Sequence, residues 1–149
     1  MKKRVACFMV LCLFILSNTA FATNWVFFER RSDPNDPGVR IYSSSYNIYI
    51  DAESVFKDGN SFVYWEKKLF DNPSYGAKEY LTNWVVNLPT QQFRTLETHM
   101  YDSKNHEIYT NYSPGDWTKY DPNSLVSAQI TFALRYARQG SDIGQKPTP

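Results

Sequence analysis

Residues 61–70, Ser-Phe-Val-Tyr-Trp-Glu-Lys-Lys-Leu-Phe, are the stretch on which the fold turns. Phe62 and Tyr64 alternate with Val63 and Trp65, so large side chains leave the chain on both sides. That pattern marks a long strand with both faces partly covered. Charge enters only at Glu66-Lys67-Lys68, which reads as a solvated strand end. Just ahead, Asp58-Gly59-Asn60 is a turn signal linking Ser54-Val55-Phe56 to the strand. Just behind, residues 71–76 (DNPSYG) read as a loop. Residues 78–88 give the next strand, with Tyr80, Trp84 and Val86 sharing parity and Pro89 closing it.

Working outward, residues 24–30 (NWVFFER) read as a first strand, and residues 31–38 (RSDPNDPG) as a turn-forming loop because two prolines break any ladder. Residues 46–50 (YNIYI) alternate, with Ile48 and Ile50 on one face and Tyr49 on the other; Ser43-Ser44-Ser45 is an irregular lead-in. Residues 91–101 place Leu96, Thr98 and Met100 on one side and Thr95, Glu97 and His99 on the other. A turn at residues 102–105 returns the chain through residues 106–112 as a hairpin, ended by Ser113-Pro114-Gly115.

One helix follows. Asp121 suits an N-cap and Pro122 the first helical position. Leu125, Ala128, Phe132 and Tyr136 recur at helical spacing, with Gln129 and Ala133 beside them, and Gly140 stops the period. The expected fold is α+β: a single antiparallel β-sheet of about six strands, with one C-terminal amphipathic helix packed on it through Leu125, Ala128, Phe132 and Tyr136.

The N-terminus sets the compartment. Lys2-Lys3-Arg4 precedes an apolar run at residues 5–16, and Ala20-Phe21-Ala22 presents small residues at a cleavage site. This order is that of a secretory signal peptide, expected over residues 1–22. The run is too short for the roughly 20 residues that span a bilayer, so no transmembrane anchor is expected. The domain then covers residues 23–138, and residues 139–149 form a disordered polar tail. Removing 22 of 149 residues leaves 127, one ordinary domain. Both cysteines, Cys7 and Cys12, go with the signal, so the exported chain folds without disulfides. The bulky Leu11 before Cys12 argues against lipoprotein processing. The product is expected in the periplasm, at the cell surface or secreted.

After removal of Lys2, Lys3 and Arg4, 13 basic residues face 15 acidic ones, a net charge of −2. No basic stripe remains, which argues against a nucleic-acid partner. Thiol chemistry is excluded, and neither a G-x-S-x-G turn nor a glycine-rich phosphate loop occurs. His99 and His106 flank one hairpin turn with Glu97, Asp102 and Glu107 near them in sequence, but their spacing matches no zinc signature. No metal, cofactor or catalytic role is expected. The unusual number is aromatic: 22 of the 127 residues are Phe, Tyr or Trp. Most suit a β-rich core, and the remainder suit a binding face.

Several short motifs together resemble the bacterial surface-adhesin protein E family. They are Trp25, Tyr49-Ile50-Asp51, Ser54-Val55 and Val63-Tyr64-Trp65-Glu66-Lys67, then Tyr80, Trp84-Val85-Val86 and Arg94-Thr95-Leu96. Tyr101-Asp102, Trp117 and Pro122-Asn123-Ser124 complete the series. The resemblance implies an antiparallel sheet with a C-terminal helix across it and a surface protein that self-associates; the family's namesake binds host matrix and plasma proteins such as vitronectin and laminin, which are the partners it suggests here. A homodimer through an unpaired edge strand is a separate expectation. Two departures stand out. Members commonly carry a cysteine where Asn87 stands here and another in the final helix, and the family's namesake is an outer-membrane lipoprotein. If the resemblance extends to matrix binding, Lys67, Lys68, Lys78, Arg94 and Lys104, with Tyr75 and Tyr112, are the expected contact residues. The competing reading is a periplasmic envelope accessory or inhibitor protein that binds no host molecule.

Overall fold

The computed structural model describes residues 23–139; the expected signal peptide and, from Gly140 onward, the expected tail lie outside them. Its central strand, β4 (Ser61–Ser74), runs four residues past the stretch that announces it. The expected six-residue loop shrinks to Tyr75-Gly76, enclosed by the pair Ser74 and Ala77. Both turn residues take positive φ, 50° and 82°, the backbone that matches the twist of a two-residue hairpin. Gly76 adopts it freely; Tyr75 does so at a steric cost.

Around β4 lie β1 (Trp25–Arg31), β2 (Tyr46–Asp51), β3 (Phe56–Asp58), β5 (Ala77–Asn87), β6 (Gln92–Tyr101), β7 (Glu107–Asn111), β8 (Thr118–Lys119) and β9 (Arg138–Gln139). The main path is β1-β2-β4-β5-β6-β7, antiparallel throughout, as the sequence pattern implies. Short β3 and β8 extend it antiparallel, and β9 joins β3 as a parallel pair.

The register sorts side chains by side. One row of directly opposed residues, Phe27–Tyr49–Lys67–Leu81–His99–Thr110, crosses all six strands. The neighbouring row on the other side is Val26–Ile50–Glu66–Thr82–Thr98–Asn111. Only this second side is covered by helices, and it will be called the closed side. Ile50, Val55, Phe62, Tyr64 and Val86 form its main core with Ile130 and Ala133. Tyr46, Ile48, Phe70, Ala77 and Tyr80 form a second cluster, capped by Val39 and Tyr42.

Val39 and Tyr42 belong to a helix that the sequence pattern conceals, α1 (Pro37–Tyr42). Six residues are too few to show a helical period, and Asp36-Pro37 reads as loop. In the fold Asp36 caps the helix by accepting from the amides of Gly38 and Val39, and it also pairs with Arg31. Tyr42 then packs within 5.1–5.6 Å of the rings of Tyr46, Phe70 and Tyr80.

The C-terminal helix, α2 (Leu125–Leu134), starts and stops inside its expected bounds. Asp121 instead organises a turn by accepting from the Asn123 amide, and Ser124 is the N-cap. The helix is also rotated relative to the expected stripe. Ala128 faces solvent, whereas Gln129, Ile130 and Ala133 are buried. Leu125 and Phe132 sit half-buried at the margins, and Tyr136, beyond the helix end, packs 5.6 Å from Phe132.

Gln129 on the buried helix face has a specific partner. Its side-chain amide donates to Glu66 Oε2 at 2.6 Å, and Lys68 Nζ donates to Glu66 Oε1 at 2.5 Å. Glu66 is only 2% exposed, so Glu66 and Lys68 form a buried ion pair beneath the helices rather than a solvated strand end. Burial pulls the Lys68 ammonium down, but the adjoining Glu66 carboxylate outweighs it and holds the group charged.

A further correction concerns β6. The pairing shifts so that Asn83 faces Glu97 while the next residue, Trp84, faces Thr95. Leu96 is the extra residue of a β-bulge, which moves Thr95 to the closed side and leaves Glu97 with His99 on the other.

The helix orientation yields a direct prediction. Ile130→Ala should lower stability by about 2–4 kcal/mol, while Ala128→Ser should change it by less than about 0.5 kcal/mol, both read from urea midpoints. The reverse order would restore the stripe expected from sequence.

Candidate functional site

The side of the sheet without helices carries an unusual mixture of groups. A small apolar patch of Trp65, Leu81 and Tyr101, with Trp25 against it, forms its floor. The register then places ionisable and aromatic side chains around that floor, because the odd-numbered residues of β4 and their partners share this side.

At the β1–β2 end, Lys67 Nζ lies 4.4 Å from the centre of the Trp25 ring and 5.7 Å from that of Tyr49. Tyr49 meets Phe27 edge-on, and Phe27 is 53% exposed. The Lys67 ammonium is 3.9 Å from Glu79 Oε2, a loose pair with both side chains largely covered. Burial lowers the Lys67 pKa, opposed by Glu79 and Asp51, and burial raises that of Glu79, opposed by Lys67. Their mutual attraction therefore does not offset the water each has lost.

Across β6 and β7, His99 is fully buried between two carboxylates. Its Nδ1 is 2.6 Å from Glu107 Oε1 and its Nε2 is 3.2 Å from Glu97 Oε2. The Tyr101 hydroxyl donates to Glu107 at 3.1 Å, and Tyr112, 70% exposed, places its ring 5.5 Å from His99. At the far end of β6 the Arg94 guanidinium lies 4.6 Å from the Trp117 ring, which is 40% exposed.

Among the described residues, five side-chain polar atoms are buried without a hydrogen-bond partner, and three of them, Trp65 Nε1, Glu79 Oε1 and Arg94 Nε, lie on this open side. Unsatisfied buried polar atoms are rare in folded domains. The surface thus offers aromatic platforms, a guanidinium and underused polar atoms, which suits recognition. Among the described residues no three His, Cys, Asp or Glu side chains are gathered to hold a metal ion. His106 points into solvent near Asp102, away from His99.

The contact residues expected from sequence divide into separate places. Arg94 and Tyr112 lie on the open side. Lys67 is there too, but mostly covered by Trp25 and Tyr49. Lys68 points to the closed side and is spent on Glu66. Tyr75, 77% exposed, sits in the β4–β5 turn with its hydroxyl donating to the Ile41 carbonyl. Lys78 donates to the Asp71 carbonyl nearby, and Lys104 lies in the exposed β6–β7 turn at the same end of the sheet. Trp117, Phe27 and the buried His99 pair were not among the expected contacts. Trp117 had one readable signal, a tryptophan set in a polar, glycine-containing loop where no core strand passes.

The family model for surface-adhesin protein E matches residues 37–133, from α1 to nearly the end of α2. No curated protein matches the chain. A solved structure, protein E from non-typeable Haemophilus influenzae, is similar at 18% identity, covering 76% of this chain and 86% of that one with a TM-score of 0.45. That likeness is too loose to place residues of one protein on the other.

The Lys67–Glu79 pair predicts a particular pH dependence. A carboxyl whose folded pKa is raised binds its proton more tightly in the native state, so stability falls as pH rises from the unfolded to the folded value. Glu79→Gln removes that penalty. The variant should match or exceed the parent at pH 7, with its advantage shrinking as pH falls toward 4; Asp51, raised by burial as well, is common to both proteins. Urea titrations across this range check it, and an advantage that grows in acid would contradict it.

Proposed function

The chain belongs to the surface-adhesin protein E family, and on that premise we propose an exported, non-catalytic adhesin that binds host extracellular-matrix protein through the open side of its sheet. The single observation that carries this reading is the family match across residues 37–133. The open side supplies the physical means. Tyr112 and the Arg94–Trp117 stack combine accessible aromatic area with a cation, the composition that dominates binding energy at protein interfaces. Vitronectin and laminin are the host proteins proposed. Among the described residues no helix is long and apolar enough to cross a membrane. Attachment at the cell surface through non-covalent contacts is part of the proposal.

Lys68 drops out of the contact set because it lies under the helices, and Lys67 contributes by holding Trp25 and Tyr49 in place. Tyr75, Lys78 and Lys104 form a second group at the hairpin end, which serves as a peripheral contact. Among the described strands β7 pairs only with β6, leaving an outer edge along which a second copy would add to the sheet as a homodimer.

Residues 23–149, purified, should bind immobilised vitronectin or laminin saturably at micromolar concentration. Trp117→Ala and Arg94→Ala should each weaken that binding by about 5- to 30-fold while leaving the circular dichroism unchanged. No saturable binding to either protein would sink the matrix-binding reading. Protease treatment of intact cells should remove the native protein while a periplasmic control survives; full protection would favour the envelope accessory role instead.

A further inference from the structure

Between α2 and the sheet lies a cavity of about 260 Å³. Its apolar walls are Ile48, Phe93, Leu125 and Val126, and its polar groups are Glu66, Lys68, Gln129 and Trp84. This is the closed side, away from the proposed matrix-binding surface.

Three observations together give the cavity the character of a ligand site. First, its size exceeds that of engineered cavities known to admit a benzene ring, about 150 Å³. Second, its lining includes an ion pair, Glu66 with Lys68, at a place where well-packed apolar residues of similar volume would be no less stable. Third, the indole N–H of Trp84 is buried with no acceptor among the described residues. Largely apolar pockets with a few convergent polar groups are the usual form of small-molecule sites.

The donors and acceptors decide the ligand class. Both Glu66 oxygens are already occupied, Oε1 by Lys68 and Oε2 by Gln129. Glu66 still keeps free lone pairs, and Gln129 Oε1 and the hydroxyl of Tyr64, which also lines the cavity, can accept; the lining atom left buried with no partner is a donor, the Trp84 N–H, and Lys68 keeps further ammonium protons. An acceptor oxygen on the ligand is what that N–H lacks. Charge narrows the choice, because Glu66 and Lys68 neutralise each other and a carboxylate would leave a net negative charge in a covered space. We propose that this cavity binds a small neutral molecule with an apolar body and one carbonyl or hydroxyl oxygen. The body packs on Ile48, Phe93, Leu125 and Val126, and the oxygen accepts from Trp84 and Lys68. This assignment is independent of the adhesin reading.

Nuclear magnetic resonance tests it on residues 23–149. The chain has four tryptophans, and Trp84→Phe identifies which indole N–H signal belongs to Trp84. Acetophenone should shift that signal saturably at millimolar concentration or below, while ethylbenzene, lacking the oxygen, should bind at least about tenfold more weakly. Benzoate, carrying a charge, should be weaker still. The Ile48, Leu125 and Val126 methyl signals provide a second readout, on which Trp84→Phe should itself weaken acetophenone binding. Absence of a saturable shift, or equal shifts of all four indoles, would overturn the site. Equal binding of ethylbenzene, or unchanged affinity in Trp84→Phe, would overturn the acceptor claim. Preferential binding of benzoate would overturn the claim of neutrality.

Discussion

The alternation of β4 is the constraint from which the rest follows. A strand sends successive side chains to opposite sides, so Glu66, Lys67 and Lys68 cannot act as one charged cluster. Glu66 and Lys68 go beneath the helices, and Lys67 goes to the open side. Once there, Glu66 must be satisfied, and Gln129 does so across 63 residues of sequence at 2.6 Å. That bond fixes the rotation of α2: the helix turns Gln129, Ile130 and Ala133 inward and leaves Ala128 outside. A register slip of one residue in β4 would bury Lys67 under α2 and put Trp65 in its core.

The two sides of the sheet then differ in kind. The closed side is dominated by aromatic and aliphatic packing, with its polar network confined to one place and adjoining a cavity. The open side has only a small apolar floor, and its ionisable groups are held close together with incomplete hydrogen bonding. Its unsatisfied buried atoms, on Trp65, Glu79 and Arg94, weaken the fold locally, while the accessible contact area comes from Tyr112, Trp117 and Phe27. The proposed matrix contacts would use that open surface.

Much of the architecture was legible because strand alternation and turn chemistry are local signals. The central strands, the Gly59 turn and the C-terminal helix were all readable for this reason. What stayed hidden depended on competition between similar signals. The chain has three Asp-Pro pairs, two of which, Asp36-Pro37 and Asp121-Pro122, lie just ahead of helices. The first caps a helix, whereas at the second Ser124 takes the cap and Asp121 shapes the turn before it. Nothing local separates the two cases; Arg31, paired to Asp36 from β1, is one tertiary difference. The Leu96 bulge was invisible for a related reason, since an alternating pattern does not show where one strand slips against another. The open side was harder still. Lys67 and Lys68 look equivalent in sequence, and only the pairing of the strands reveals that one is available to the open side and the other is not.

If matrix binding occurs on the open side, hydrogen exchange will register it there. Residues 23–149 would be measured alone and with saturating vitronectin or laminin. Added protection is expected in β6, β7 and the segment carrying Tyr112 and Trp117, with α1 and α2 unchanged. Protection confined to the helices, with β6 and β7 unaffected, would contradict it.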